Sequence, residues 1–250
     1  MLTRSFKKSI WLMLISIAFL LFSSYIWYPG PLIAPVQSVG FSDNVELAVP
    51  TLLIIFCCFI LPNNYEIELS LICGMSTTKL FFSKAVPIFF YSLIPMYIML
   101  ALFKYETYNG DIKTRIPIYV PENFKIYVAL SMLVTVFFFF ALFCFFRVLL
   151  RNCYAPIFLC MFVNYSCSSI TEAIQRGMSD IRLSLINPFI SDYILSDTVP
   201  NAYAAQVEGM EIMKNAWTYN RILFFALGVV LLVLTYLLLR REKLHKGFGD

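Results

Sequence analysis

The sequence predicts an all-α, polytopic integral membrane protein with six transmembrane helices and both termini in the cytoplasm. Three observations predict it. First, the 250-residue chain is 60% hydrophobic and only 14% charged, with mean hydropathy +0.77. A soluble domain of this size is nearer half apolar and about a quarter charged, so lipid must cover part of this surface. Second, six stretches nearly free of charge approach or reach the ~20 helical residues that cross a hydrocarbon core. Third, lysine and arginine are unevenly shared between the connecting segments, as the positive-inside rule requires.

The spans fall at about 9–28, 46–62, 85–103, 126–147, 153–170 and 221–239. Helix is the spanning form, because backbone groups in lipid must pair within their own segment and no ten-residue alternation suggests a barrel. The first span follows the basic leader MLTRSFKK. Its apolar run is too long for a signal peptide and no A-x-A-like site follows, so it reads as an uncleaved anchor. Spans two and five are the shortest and contain Pro50 and Pro156. Pro62 helps end span two, and Pro87 and Pro95 should kink span three.

With the N-terminus inside, the cytoplasmic segments hold 11 Lys and Arg in roughly 47 residues, and the outer segments hold 8 in roughly 89. The outer loops differ in kind. Residues 29–44 are turn-rich. Residues 104–125 are polar and broken by Asn109-Gly110, Pro117 and Pro121. Residues 171–219 form the largest outer segment and carry apolar patches such as LSLINPFISDYIL. These either pack on the outer mouth as short helices or dip into the interface. No internal repeat and no separate soluble domain is visible.

The polar segment 63–84, between spans two and three, is punctuated like two helices. Asn63 or Asn64 can cap the first, with Glu66 and Glu68 in its first turn, where the helix dipole favours acid. Tyr65, Leu69 and Ile72 then share one face at i, i+4, i+7. Gly74 is a C-terminal stop, and Ser76 or Thr77 can cap a helix running through Lys79 and Lys84 into span three. A helix of about two turns is not stable alone and needs a membrane surface or a partner. The plainest role for it is an interfacial connector.

Several function classes are excluded or disfavoured. There is no G-x-x-x-x-G-K-[ST], so the chain has no P-loop. The lone histidine, His245, rules out an H-E-x-x-H zinc site or histidine-based catalysis. The seven cysteines lie in or beside apolar runs and read as small apolar residues. No basic patch with interleaved aromatics calls for nucleic acid. Glu46 and Arg147 sit at span ends, where a solvated or snorkelled side chain is expected. This disfavours a proton- or sodium-coupled carrier. Small polar residues within spans read as helix-packing contacts. Among them Asn164, Ser166, Ser168 and Ser169 in span five are the best candidates to line a path. With 25 Phe and 15 Tyr, such a path would suit an amphipathic substrate.

The pattern E-x-E-L-x-x-x-x-G-x-S-x-x-K-L-x-x-x-K, formed by Glu66, Glu68, Leu69, Gly74, Ser76, Lys79, Leu80 and Lys84, resembles the permease subunits of ABC-2 type exporters. So do the W-x-x-N-R that opens the last span (Trp217, Asn220, Arg221), the L-x-R-R-E-K that closes it (Leu238, Arg240, Arg241, Glu242, Lys243), and Asn187-Pro188-Phe189. The likeness covers essentially the whole chain through span number and loop lengths, although no single motif is as specific as a Walker sequence. One departure is that only eight residues precede Ser9, where the family commonly has an amphipathic helix.

The resemblance implies that the 63–84 segment is a coupling loop docking in a groove on a separate ABC ATPase subunit. Tyr65, Leu69 and Ile72 would fill an apolar part of that groove and Glu66 and Glu68 would meet basic groups, with Gly74 and Lys79 in the same motif. It further implies a dimer with a second copy or a paralogous permease, in a bacterial plasma membrane. ATP and Mg would be bound by the partner ATPase, with no cofactor and no enzymatic activity in this chain. The transported molecule would be an exported peptide, antibiotic or drug, or a lipid-like compound. The alternative class is a non-transporting membrane accessory or immunity protein that sequesters a peptide or scaffolds a complex.

Overall fold

The computed structural model describes residues 50–102, 124–189 and 215–246, apart from a few single positions within them, together with Trp11 and Leu14. The rest of the first predicted span, the 29–44 loop, most of the 104–125 loop and residues 190–214 of the large outer segment lie outside the described residues. What is described is mostly helical and contains no strand.

A helical segment over 50–60 is followed by the short helix α1, Asn64–Ile72. Helix α2, Thr77–Leu102, continues past Pro87 and Pro95. Helix α3, Phe124–Leu150, carries the phenylalanine-rich run. It ends at Arg151, which takes a left-handed φ of 50°. The Asn152 side chain then accepts a bond from the Tyr154 amide at 2.7 Å and opens α4, Ala155–Gln175. So short a connection makes α3 and α4 antiparallel neighbours. A 3-10 helix, Ile181–Ile186, follows α4, and α5, Ala216–Lys246, is the last element.

Named contacts fix the helix directions. Trp217 meets Ser131, Arg221 meets Thr135, and Phe224 lies edge-on to Phe138, so α3 and α5 advance together and are parallel. Residues at the start of α2 line a cavity with Tyr236 and Arg240 near the end of α5. Farther along α2, Phe89 reaches Phe137, which stacks on Phe225 near the start of α5. Helix α2 is therefore antiparallel to both. Helix α4 carries Asn164 beside Thr51 in its middle and Cys167 and Thr171 beside Asn187 at its end. Pro62, after segment 50–60, lies against Arg147 near the end of α3. The bundle thus has two ends. One holds α1, the start of α2 and the ends of α3 and α5. The other holds the 3-10 helix and residues 187–189.

Helix α3 is the centre of the described helices, and its contact with α5 is the most extensive among them. Met132, Phe139 and Phe143 are fully buried among Leu53, Ile54, Phe81 and Ile88. Gly228 lets α5 approach closely. A Cβ there would stand 2.6 Å from a ring carbon of Phe137, inside van der Waals contact.

Two stretches, Ala129–Leu150 and Ala216–Arg241, are long and apolar enough to cross a membrane. The first is 56% buried and the second only 22%, so α5 turns most of its apolar surface outward. Ile222, Phe225, Val230, Val233 and Leu237 are among the exposed side chains. With about half of each side chain exposed, leaving it in water rather than an apolar medium would cost roughly 1 kcal/mol. This surface supports a membrane location.

Candidate functional site

The first candidate is α1 and its mounting. The residues that make it a helix are local. Glu66 lies in the first turn, and the Cys73 amide closes the last turn on the Leu69 carbonyl at 3.0 Å. Gly74 then adopts φ +71°, the left-handed conformation that ends a helix and that a Cβ would strain. The chain turns, and the Ser76 carbonyl accepts the Leu80 amide at 3.0 Å as the first bond of α2. Ser76 is therefore the residue capping α2, with Thr77 its first helical position.

Tyr65 and Ile72 project into solvent, 71% and 82% exposed, and Leu69 lies between them at 38%. The apolar face expected from i, i+4, i+7 spacing is thus presented outward at the tip of the bundle. Ile67, on another side, is half-buried. Glu66 does not point away with that face. Its carboxylate accepts a charge-assisted bond from Lys84 Nζ at 2.9 Å. That ion pair links α1 to the second turn of α2 across the Gly74 turn. Glu68 is exposed. Lys79 lies on another side of α2, in the cavity with Arg240. Of the residues expected to act together, Tyr65, Leu69 and Ile72 share a surface, whereas Glu66 is paired with Lys84 and Lys79 faces the cavity on another side of α2.

The polar run of α4 divides in the same way. Asn164 is fully buried and donates to Thr51 Oγ1 at 3.0 Å, holding α4 to segment 50–60. Ser169 returns its hydroxyl to the Tyr165 carbonyl at 2.9 Å. Ser166 and Ser168 are half-exposed. The outward face of α4 is aromatic instead, with Phe158, Phe162 and Tyr165, and Tyr154 just before the helix, each more than half exposed at helical spacing.

Two buried arginines were missed by sequence reasoning. Arg147 is not a snorkelled side chain, and Arg221, which opens the last span, does not reach out to water. They are 3% and 4% exposed. Arg147 Nη2 donates to the Pro62 carbonyl at 2.8 Å, closing the α1 end of the bundle. Arg221 does the same at the other end with more partners. Its Nη1 donates to the Ser131 carbonyl at 2.9 Å and Thr135 Oγ1 at 3.1 Å. Its Nη2 donates to the Pro188 carbonyl at 3.0 Å and to Asn220 Oδ1. The planar fork suits this, since it aims several donors in fixed directions at once.

Around Arg221 the bonds continue. Thr135 Oγ1 donates to the same Pro188 carbonyl at 2.7 Å, and Trp217 Nε1 donates to Ser131 Oγ at 2.7 Å. Asn220 Nδ2 reaches the Leu185 and Asn187 carbonyls at 3.0 and 2.9 Å. Asn187 Nδ2 reaches the Cys167 carbonyl at 2.8 Å and Thr171 Oγ1 at 2.9 Å, while its Oδ1 accepts the Phe189 amide at 3.0 Å. The backbone of 185–189 thereby exchanges water for side-chain partners from α3, from α5 and from Asn187, whose own side chain is held by α4. Such satisfaction is what allows non-helical chain to be buried in a bundle. The available signal was the spacing of Trp217, Asn220, Arg221, Phe224 and Gly228, which places polar and apolar residues on one buried face of α5.

Set against known protein families, curated proteins and solved structures, the chain matches none.

Proposed function

We propose that the chain is the membrane-spanning subunit of an ATP-powered exporter of the ABC-2 type, with α1 as the element that docks on a separate ATPase. In this reading α2, α3, α4 and α5 are the third to sixth of six spans, α1 and both termini face the cytoplasm, and residues 181–189 lie at the outer face. The alternation of helix directions is consistent with this topology, as is the greater density of lysine and arginine at the α1 end.

The observation that carries the proposal is the exposed apolar face of α1, Tyr65, Leu69 and Ile72, held by the Glu66–Lys84 pair and the Gly74 turn between two apolar elements. A two-turn helix with its apolar side outward buries that side only against a partner or a lipid surface. Being bonded to α2, it would pass a push from that partner directly to the bundle. The chain would supply half of a pathway for an amphipathic peptide, drug or lipid-like molecule. A second copy or a paralogue would complete it, and the aromatic outer face of α4 is a surface on which two permeases could meet. ATP and Mg would belong to the partner.

The test is affinity purification in mild detergent with mass spectrometry of the co-purifying proteins. The expected result is a stoichiometric partner carrying a Walker motif, lost with Glu68→Lys or Tyr65→Asp. A chain that purifies without an ATPase would overturn the proposal in favour of an accessory or immunity protein.

A further inference from the structure

A cavity of about 470 Å³ opens at the α1 end of the bundle, between the start of α2 and the end of α5. It is lined by Ser76, Thr78, Lys79, Phe82, Tyr236 and Arg240. We propose that it binds the phosphate of an anionic lipid headgroup, with the acyl chains running along α2 and α5 away from the basic rim. The inference rests on the membrane location and not on the exporter reading.

Two cations from helices far apart in sequence converge here, and none of the described lining residues is acidic. Like charges facing one cavity repel unless an anion or water lies between them. Lysine supplies a compact point charge and arginine a flat fork, which together match the oxygens of a phosphodiester. Ser76 and Thr78 add hydroxyl donors. The cavity also lies at the capped start of α2, where the first-turn amides and the helix dipole favour an anion.

Phe82 and Tyr236 make up the apolar part of the lining, as aromatic residues do at headgroup level. The faces they begin remain apolar and exposed away from the cavity. Val86 and Phe90 follow Phe82 at four-residue steps on α2, and Val233 and Val229 precede Tyr236 on α5. Because α2 and α5 are antiparallel, both stripes lead toward the other end of the bundle. A ligand with an anionic head and apolar chains fits that sequence of surfaces, whereas free phosphate would use only the rim.

The test is native mass spectrometry of the full chain in detergent, titrated separately with phosphatidylglycerol, phosphatidylcholine, glycerol phosphate and inorganic phosphate. Wild type should retain one phosphatidylglycerol in clear preference to phosphatidylcholine. Lys79→Gln and Arg240→Gln should each weaken retention about fivefold, and together about twentyfold. Arg241→Gln, which removes the same charge one residue outside the cavity, should leave retention at the wild-type level. Equal retention by the double variant, or an equal loss with Arg241→Gln, would overturn the proposal. So would binding of inorganic phosphate through Lys79 and Arg240 without retention of the lipid.

A second measurement does not depend on the basic variants. An environment-sensitive dye on Tyr236→Cys, in a background with Cys58, Cys73, Cys153 and Cys167 replaced by serine, should shift with phosphatidylglycerol vesicles and not with phosphatidylcholine vesicles. The same response to both would also overturn the proposal.

Discussion

Replacing Arg221 with methionine keeps most of the side chain's length and apolar stem while removing the guanidinium. Four hydrogen bonds go with it, to the Ser131 and Pro188 carbonyls, Thr135 Oγ1 and Asn220 Oδ1. A hydrogen bond to a charged group contributes about 1.5–3 kcal/mol in soluble proteins. Side-chain hydrogen bonds measured inside a membrane protein average only about 0.6 kcal/mol. Burying the guanidinium also costs desolvation energy that methionine avoids. At about 1 kcal/mol per bond between those limits, the loss is about 4 kcal/mol, or a fall in Tm of roughly 10 °C for a chain of this size.

The chain carries its own reporters for this measurement. Cys57, Cys144 and Cys160 are fully buried, so a thiol-reactive fluorophore reads unfolding in detergent once Cys58, Cys73, Cys153 and Cys167 are replaced by serine. Arg221→Lys keeps the charge but not the fork and should fall between wild type and Arg221→Met. Cleavage within residues 181–189 by added protease should increase in parallel, because the Pro188 carbonyl loses one of its two side-chain donors. A Tm within about 2 °C of wild type, with 181–189 still protected, would refute the claim that Arg221 clamps this end of the bundle.

Other substitutions probe separate joints of the same structure. Gly228→Ala should destabilise by about 1–3 kcal/mol through contact with the Phe137 ring, and Phe137→Leu should restore much of the loss in the same melting assay. Asn187→Ala removes bonds to Cys167, Thr171 and Phe189 and should cost about 2 kcal/mol. Combined with Asn220→Ala, its effect should be non-additive by at least about 0.5 kcal/mol, as expected within one network. Lys84→Met breaks a partly exposed ion pair, so stability should change by less than about 1 kcal/mol. If the pair sets the angle of α1, however, partner ATPase activity should fall, and unchanged activity would show that the angle is held by other contacts.

What could be read from the sequence was local. The limits of α1 follow from the acidic first turn, Gly74 and Ser76, which act through neighbouring backbone and need no distant partner. The apolar face of Tyr65, Leu69 and Ile72 was equally visible, because helical spacing alone places it. What could not be read depended on which face of an almost wholly apolar helix turns inward. Arg147 and Arg221 stand at the ends of apolar runs, where a long cation ordinarily reaches for water. Their burial depends on the Pro62 and Pro188 carbonyls, 85 and 33 residues away along the chain. Asn164 looked suited to a path because polar residues in a span are rare. Its partner Thr51 is 113 residues away, and no periodicity reveals that pairing. Glu66 was expected to face a partner protein by its place in a motif, and Lys84 engages it after a single turn of chain.

The central claim is that the outward face of α1 is a docking surface for an ATPase. The most direct measurement is site-specific photocross-linking in cells from a benzophenone amino acid at Ile72, with Val230 on the exposed face of α5 as the comparison site. The account predicts that position 72 cross-links to one polypeptide carrying a Walker motif and that position 230 does not. Cross-links from position 72 that contain only lipid, or only a protein without a nucleotide-binding motif, would contradict it.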